Sequence, residues 1–172
     1  MSVPGRLEDH TPEELAYEVA VNLTGPMLVT RRAVRRLRDE GLRGDVVFVT
    51  SDAATNARPE QAPYTATKAA ALGFAEYLAI TYGAQGLRVS ALCPQAVRTA
   101  MTAGHESGGV AGLDGMLEPA EVARIAIDGV RNGDFLILPH PEVEEYARRK
   151  ADDRERWIKG MQRLNERFGL PT

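Results

Sequence analysis

Gly44-Asp45-Val46-Val47-Phe48-Val49-Thr50-Ser51 is the stretch on which the fold turns. Its apolar run is continuous rather than alternating, which predicts a strand buried on both faces and therefore a parallel sheet covered by helices. Working outward, a polar loop with Pro59 and Pro63 leads into a helix that contains Tyr64-Thr65-Ala66-Thr67-Lys68 and runs to Gly83. Leu87 to Cys93 is a second apolar strand, ended by Pro94. Upstream, Thr11-Pro12-Glu13-Glu14 is a helix start: Thr11 caps, Pro12 suits the first turn and Glu14 completes a capping box. That helix is expected to reach about Glu40 and stop at Gly41, with its hydrogen-bond ladder disturbed at Pro26, which has no amide to offer the Asn22 carbonyl.

Downstream, Met101 to Met116 is rich in glycine and small polar residues and reads as a mobile loop. Pro119 opens a helix to about Gly129, Phe135 to Leu138 is a short strand, and Pro141 starts one last helix. In it Trp157, Met161, Leu164 and Phe168 form a stripe expected to serve packing or a subunit contact rather than a ligand. Helices and strands alternate throughout, which implies an α/β layer architecture around about three parallel strands. Residues 1–172 are expected to form a single domain, with 140–172 as a C-terminal helical extension.

Composition narrows the function. The chain has 172 residues, 44% hydrophobic and 26% charged, with a net charge of −3. Those values suit one soluble globular domain and give no basis for nucleic-acid binding. No apolar run approaches the ~20 residues that span a bilayer, and the first ten residues carry no apolar signal core. A cytoplasmic location and no membrane partner are the expectations. The one cysteine, Cys93, sits in an apolar strand and reads as a small buried hydrophobe. His10, His105 and His140 are too scattered for a metal site. Arg31, Arg32, Arg35, Arg36 and Arg38 crowd the end of the first helix and read as a solvated face favoured by the helix dipole.

The chemistry lies in Tyr64, Lys68 and Ser51. A Tyr and a Lys four apart share one helix face. An ammonium beside a phenol favours the phenolate, lowering a pKa that is ordinarily about 10, and so makes an acid or base usable near neutral pH. Ser51, thirteen residues before Tyr64, can hydrogen-bond a reacting oxygen. The constellation suits hydride-transfer chemistry on an alcohol or ketone. The Tyr/Lys spacing recurs at Tyr146 and Lys150, but Gly133 stands thirteen residues before Tyr146, and the surrounding Pro141 to Lys150 reads as a charged helix surface. The serine and the context distinguish the first copy.

Taken in order, these residues resemble the short-chain dehydrogenase/reductase family over nearly the whole chain. Asn22 in Val21-Asn22-Leu23-Thr24-Gly25 resembles the family's helix asparagine, Ser51 its catalytic serine, and Tyr64 and Lys68 its active-site pair. Pro94-Gln95-Ala96-Val97-Arg98-Thr99 resembles the Pro-Gly-x-Val-x-Thr segment that holds the nicotinamide end of the cofactor. The resemblance implies a Rossmann-like, doubly wound parallel sheet and an NAD(P)-dependent oxidoreductase interconverting a small-molecule alcohol and a ketone. It makes Tyr64 the proton exchanger, Lys68 the residue on the nicotinamide ribose, Ser51 the holder of the substrate oxygen and Asn22 the support of a water relay. Tyr64, Lys68, Pro94, Gln95, Val97 and Thr99 would face NAD or NADP, and a homo-oligomer is implied.

Two departures stand out. Gln95 occupies the usual glycine position, where a side chain crowds the nicotinamide pocket or changes the backbone. No Gly-x-x-x-Gly-x-Gly turn precedes the first helix, so the pyrophosphate-binding start of the family fold is not in this chain. Met1 falls about where the family's fourth strand ends, leaving out roughly three βαβ-type units, on the order of 90 residues at ~30 each. The sheet is then expected to be incomplete, with Val46 to Val49 as an open edge. Weak dinucleotide binding by the chain alone follows. So does an alternative: a truncated, inactive relative acting as a binding or assembly module.

Overall fold

The structure is a computed structural model that describes residues 2–3, 5–58, 61–103 and 109–168. His105 and Pro59 lie outside the described residues, as does the centre of the Met101 to Met116 segment. Three parallel strands, β1 (Gly44–Val49), β2 (Leu87–Leu92) and β3 (Leu136–Ile137), lie in the order β1-β2-β3. Each crossover carries a helix, as parallel pairing requires: α3 (Ala62–Tyr82) joins β1 to β2, and α4 (Pro119–Asn132) joins β2 to β3. Ahead of the sheet run α1 (Pro12–Val19) and α2 (Gly25–Asp39), and after it α5 (Glu142–Asp152) and α6 (Arg154–Phe168).

The first helix begins as its capping box predicts. Thr11 Oγ1 accepts from the Glu14 amide at 3.1 Å, and the Glu14 carboxylate accepts from the Thr11 amide at 2.9 Å. Between α1 and α2 the chain makes a π turn over Ala20–Thr24, in which the Gly25 amide donates to the Ala20 carbonyl. A proline at 26 cannot donate, and one residue of wider winding just before it lets the helix continue. The arginine-rich face of α2 is exposed and pairs internally, Arg35 with Asp39 and Arg36 with Glu40.

Paired residues in a parallel ladder point to the same side, so β1 and β2 present two faces. Phe48, Leu87 and Val89 pack with Val34, Ala75 and Leu78 from α2 and α3. Leu92 and Ile137 pack with Val122 of α4 on the other face. That second cover does not extend over β1. Val47 is 40% exposed and Val49 66%, so the expectation of a strand buried on both faces is corrected: β1 is covered on the α2/α3 face only. Among the described residues β1 pairs only with β2, which makes it the open edge expected above.

Two further boundaries differ from the sequence reading. Helix α4 continues past Gly129 to Asn132 and ends at Gly133, whose φ of 82° suits a glycine cap. Gly129 serves close packing instead: a Cβ there would stand 2.7 Å from Ile137 Cδ1. Gly129→Val is therefore expected to destabilise the chain by about 1–3 kcal/mol, read as a lower urea midpoint at unchanged slope. The expected single C-terminal helix is two helices. They break at Asp153, whose carboxylate accepts from the Arg156 amide at 2.9 Å and so caps α6.

Candidate active site

The carboxyl ends of β1 and β2 build the site. Backbone pairing continues past both strands, with Thr50 N donating to Leu92 O at 2.9 Å and Asp52 N to Pro94 O at 3.0 Å. Ser51 and the Pro94 segment are thus held side by side. Ser51 opens a short 3-10 turn: its Oγ accepts from Ala53 N at 3.2 Å and donates to Asp52 Oδ1 at 3.0 Å. Tyr64 and Lys68 come from the first two turns of α3. Lys68 Nζ stands 5.4 Å from the Tyr64 ring centroid and donates to Val49 O at 3.0 Å. Asn22 is buried in the π turn and donates to Thr67 Oγ1 at 3.2 Å, which in turn donates to Tyr64 O at 2.9 Å. It therefore grips α3 at the residue before Lys68.

The Tyr64 phenol lies above its ordinary value of 10.0. Burial is the main cause, opposed by the hydrogen bond with the Ser51 side chain and then by the Arg58 charge, while Asp52 and Glu18 add to the rise. This corrects the expectation of a phenol lowered by Lys68. Burial outweighs the lowering effects of the Ser51 hydrogen bond and the Arg58 charge. Burial likewise pushes Lys68 below its ordinary value, partly offset by Cys93.

A raised phenol has a definite consequence for stability. The folded chain keeps a proton that the unfolded chain releases near pH 10. This contribution is complete below the ordinary tyrosine range and is lost as pH rises through the folded-state value. Tyr64→Phe should remove that alkaline loss, so thermal melts from pH 8 to 11 should show a shallower decline of Tm than in the parent.

Asp52 and Arg58 had no role in the sequence reading. Arg58 Nη2 meets both Asp52 carboxylate oxygens at 2.5 Å, and the two side chains are only 11% and 7% exposed. Nothing periodic marks them, because one lies in a 3-10 turn and the other in an irregular loop.

The Pro94 to Thr99 segment is pinned on several sides. Gln95 N donates to His140 Nδ1 at 3.2 Å, Arg98 N to Leu117 O at 3.0 Å, and Thr102 Oγ1 to Val97 O at 2.7 Å. Thr99 is exposed, and its amide donates to Thr102 Oγ1. The Gln95 side chain turns toward Asp114 at 3.0 Å, where the Tyr146 hydroxyl also donates at 2.9 Å. These groups line a cavity of about 780 Å³ that Asp52, Asn56 and Arg58 also border. Trp157, Met161 and Leu164 form its apolar wall. Three members of the α6 stripe expected to serve packing or a subunit contact thus border this cavity, as does Tyr146, expected on a charged helix surface. Lys150 lies over the Trp157 ring at 4.9 Å and donates to the Thr55 carbonyl. Tyr146 is therefore a wall element, and Lys150 packs behind the wall on Trp157.

Among the described residues no group of three or more His, Cys, Asp or Glu is placed to hold a metal ion, and no helix is long and apolar enough to cross a membrane.

A parallel sheet wound by helices, with Ser, Tyr and Lys gathered at its strand ends, defines a Rossmann-type dehydrogenase class. The family profile described as short chain dehydrogenase matches residues 1–108, and the chain belongs to the short-chain dehydrogenase/reductase family. Short-chain dehydrogenase reductase 3a of Arabidopsis thaliana is 30% identical over 161 residues, 94% of this chain and 58% of that protein. An uncharacterized NAD-dependent oxidoreductase of Mycobacterium tuberculosis is 37% identical over 97 residues, 56% of this chain and 35% of that protein. In structure, a short-chain dehydrogenase from Sphingobium yanoikuyae in complex with NADPH superposes with a TM-score of 0.73 at 24% identity, covering 94% of this chain and 61% of that one. The chain spans about a third to three fifths of the length of these relatives.

Proposed function

We propose that this chain carries the catalytic half of an NAD(P)-dependent oxidoreductase that interconverts a small-molecule alcohol and a ketone. The observation that supports it best is the gathering of Ser51, Tyr64 and Lys68 at the carboxyl ends of β1 and β2, where Lys68 stands 5.4 Å from the Tyr64 ring and bonds the Val49 carbonyl. In this reading Tyr64 gives a proton to the carbonyl oxygen in reduction and takes one from the alcohol in oxidation. Ser51 holds the same oxygen by hydrogen bonding. Lys68 supplies positive charge behind the phenol and turns from Val49 O toward a ribose. Asn22 fixes the α3 turn that presents both. Tyr64, Lys68, Pro94, Gln95, Val97 and Thr99 border the nicotinamide end of NAD or NADP, which supplies or accepts the hydride when bound. The fit covers that end only, since the 172 residues hold no glycine-rich pyrophosphate turn. The amphipathic cavity bordered by Asn56, Gln95 and Trp157 takes the body of the substrate.

Assaying oxidation of NADH and NADPH against a panel of ketones tests the reading, and a ketone-dependent rate with either cofactor is expected at millimolar cofactor. Calorimetric titration of this chain should show dinucleotide binding weaker than micromolar. Micromolar binding by these residues alone would contradict the assignment of the pyrophosphate contacts to a missing turn.

The open β1 edge, with Val47 and Val49 exposed, favours a second reading in which the chain acts by association as a binding or assembly module. Both readings expect self-association or pairing with another segment. Light scattering should give a mass above 18.7 kDa at tens of micromolar, and a strictly monomeric mass throughout would contradict it.

A further inference from the structure

We propose that the cavity beside the Pro94 segment is built for an uncharged, hydroxylated substrate, and that Asn56, Gln95 and Asp114 are the residues that recognise its hydroxyl groups. All three border the space of about 780 Å³. The partners of the Asp114 carboxylate among the described residues are two neutral donors, Gln95 Nε2 at 3.0 Å and the Tyr146 hydroxyl at 2.9 Å. An ionised carboxylate offers about four acceptor sites, so Asp114 can take further donors from a ligand. Gln95 gives its NH₂ to Asp114, and its Oε1 is buried without a partner among the described residues. Asn56, only 7% exposed, is in the same position. Chemistry fixes its orientation. The Thr55 hydroxyl gives its one proton to the Asp52 carbonyl at 3.0 Å, so Thr55 Oγ1 accepts from Asn56 Nδ2 at 3.2 Å. Asn56 Oδ1 is then the atom left buried with no donor among the described residues.

The unmet groups are not all acceptors. Arg58 borders the same space, and its Nε is a buried donor with no acceptor among the described residues, although its Nη2 meets both Asp52 oxygens. A buried polar group without a partner costs free energy, and a ligand that completes it gains affinity. A hydroxyl both donates and accepts. An ammonium only donates and a carboxylate only accepts, so neither completes both kinds of group. Charge gives the same answer, because four aspartates and four arginines border the cavity and select for no net charge. The Trp157 wall receives the apolar face that a ring with hydroxyls on its edge presents. Burial, and then the Asp114 bond, holds the Tyr146 phenol above its ordinary value, so it stays a donor to Asp114 near neutral pH. The proposal rests on the dehydrogenase reading only for calling the ligand a substrate. Its test needs neither cofactor nor turnover, so the two can fail separately.

Trp157 is the only tryptophan of the chain, so its fluorescence reports on this wall. The probes are cyclohexanol and the same ring carrying, on the carbon opposite, a second hydroxyl, an ammonium or a carboxylate. The diol should bind about tenfold tighter than cyclohexanol, as a hydrogen bond to a charged group allows, and tighter than either ion. The double variant Asn56→Ala/Asp114→Ala should bring diol and cyclohexanol to within about twofold of each other. If circular dichroism shows that the double variant does not fold, Asp114→Asn decides, because it keeps the volume and removes the charge. It should shrink the preference for the diol by about threefold or more. A diol that binds no tighter than cyclohexanol, an ammonium or carboxylate that binds tighter than the diol, or a preference unchanged in the folded variant would overturn the proposal.

Discussion

Tyr64→Phe is expected to lower turnover by about 10²- to 10⁴-fold, the contribution of a positioned acid–base group. Phenylalanine keeps the ring beside Lys68 and removes only the hydroxyl that meets Ser51. Near neutral pH its cost in stability should be about 1 kcal/mol or less, the worth of one hydrogen bond. Steady-state kcat with either nicotinamide cofactor, alongside a urea melt, separates chemistry from folding. Tyr146→Phe is the matched control. It shares the Tyr/Lys spacing but donates to Asp114 in the cavity wall, so it should change KM more than kcat.

The largest stability loss is expected from Arg58→Met. Asp52 is buried, and Arg58 is the cation on both of its oxygens. Breaking a buried pair leaves an uncompensated charge, which costs about 3–5 kcal/mol. The surface pair Arg88–Asp45 has a similar contact distance of 2.6 Å but is 60% and 39% exposed. Water and salt screen it, so Arg88→Met should leave the urea midpoint close to that of the parent. Urea midpoints of the two variants give the comparison. Equal losses would mean that burial at Asp52 is not what makes its pair matter.

Much of the architecture was legible because local rules and tertiary packing agree. Thr11 and Glu14 cap as their types dictate, and the continuous apolar runs of β1 and β2 pair in parallel. The β1 run failed in one respect. Its composition suits burial on both faces, but α4 covers β2 and β3 only, and no single sequence reports how far a helix reaches across a sheet. Gly129 and Gly133 look alike in sequence. One makes room for Ile137 and the other caps α4, a difference set by a neighbour remote in the chain.

The candidate site was legible in part for the same reason. Tyr64 and Lys68 share one helix at fixed spacing, and Ser51 follows two residues after the apolar run of β1. Asp52, Arg58 and Asp114 act from turns and loops, where spacing carries no periodic signal. Sequence pattern assigns Tyr146 to a helix surface and the Trp157 stripe to packing or a subunit contact, because it reports which face is apolar, not whether that face meets a core or a cavity. The visible signal that α5 and α6 are separate was Asp153, a good capping residue in an otherwise helical run.

The most direct test is transfer of deuterium from nicotinamide cofactor deuterated at the reactive C4 position, at millimolar concentration, to a ketone, read by mass spectrometry of the alcohol. The predicted result is one deuterium on the carbinol carbon with the parent chain and almost none with Tyr64→Phe. Absence of labelled alcohol with both NADH and NADPH across the ketone panel, or equal labelling by Tyr64→Phe, would contradict the assignment of this site to hydride-transfer chemistry.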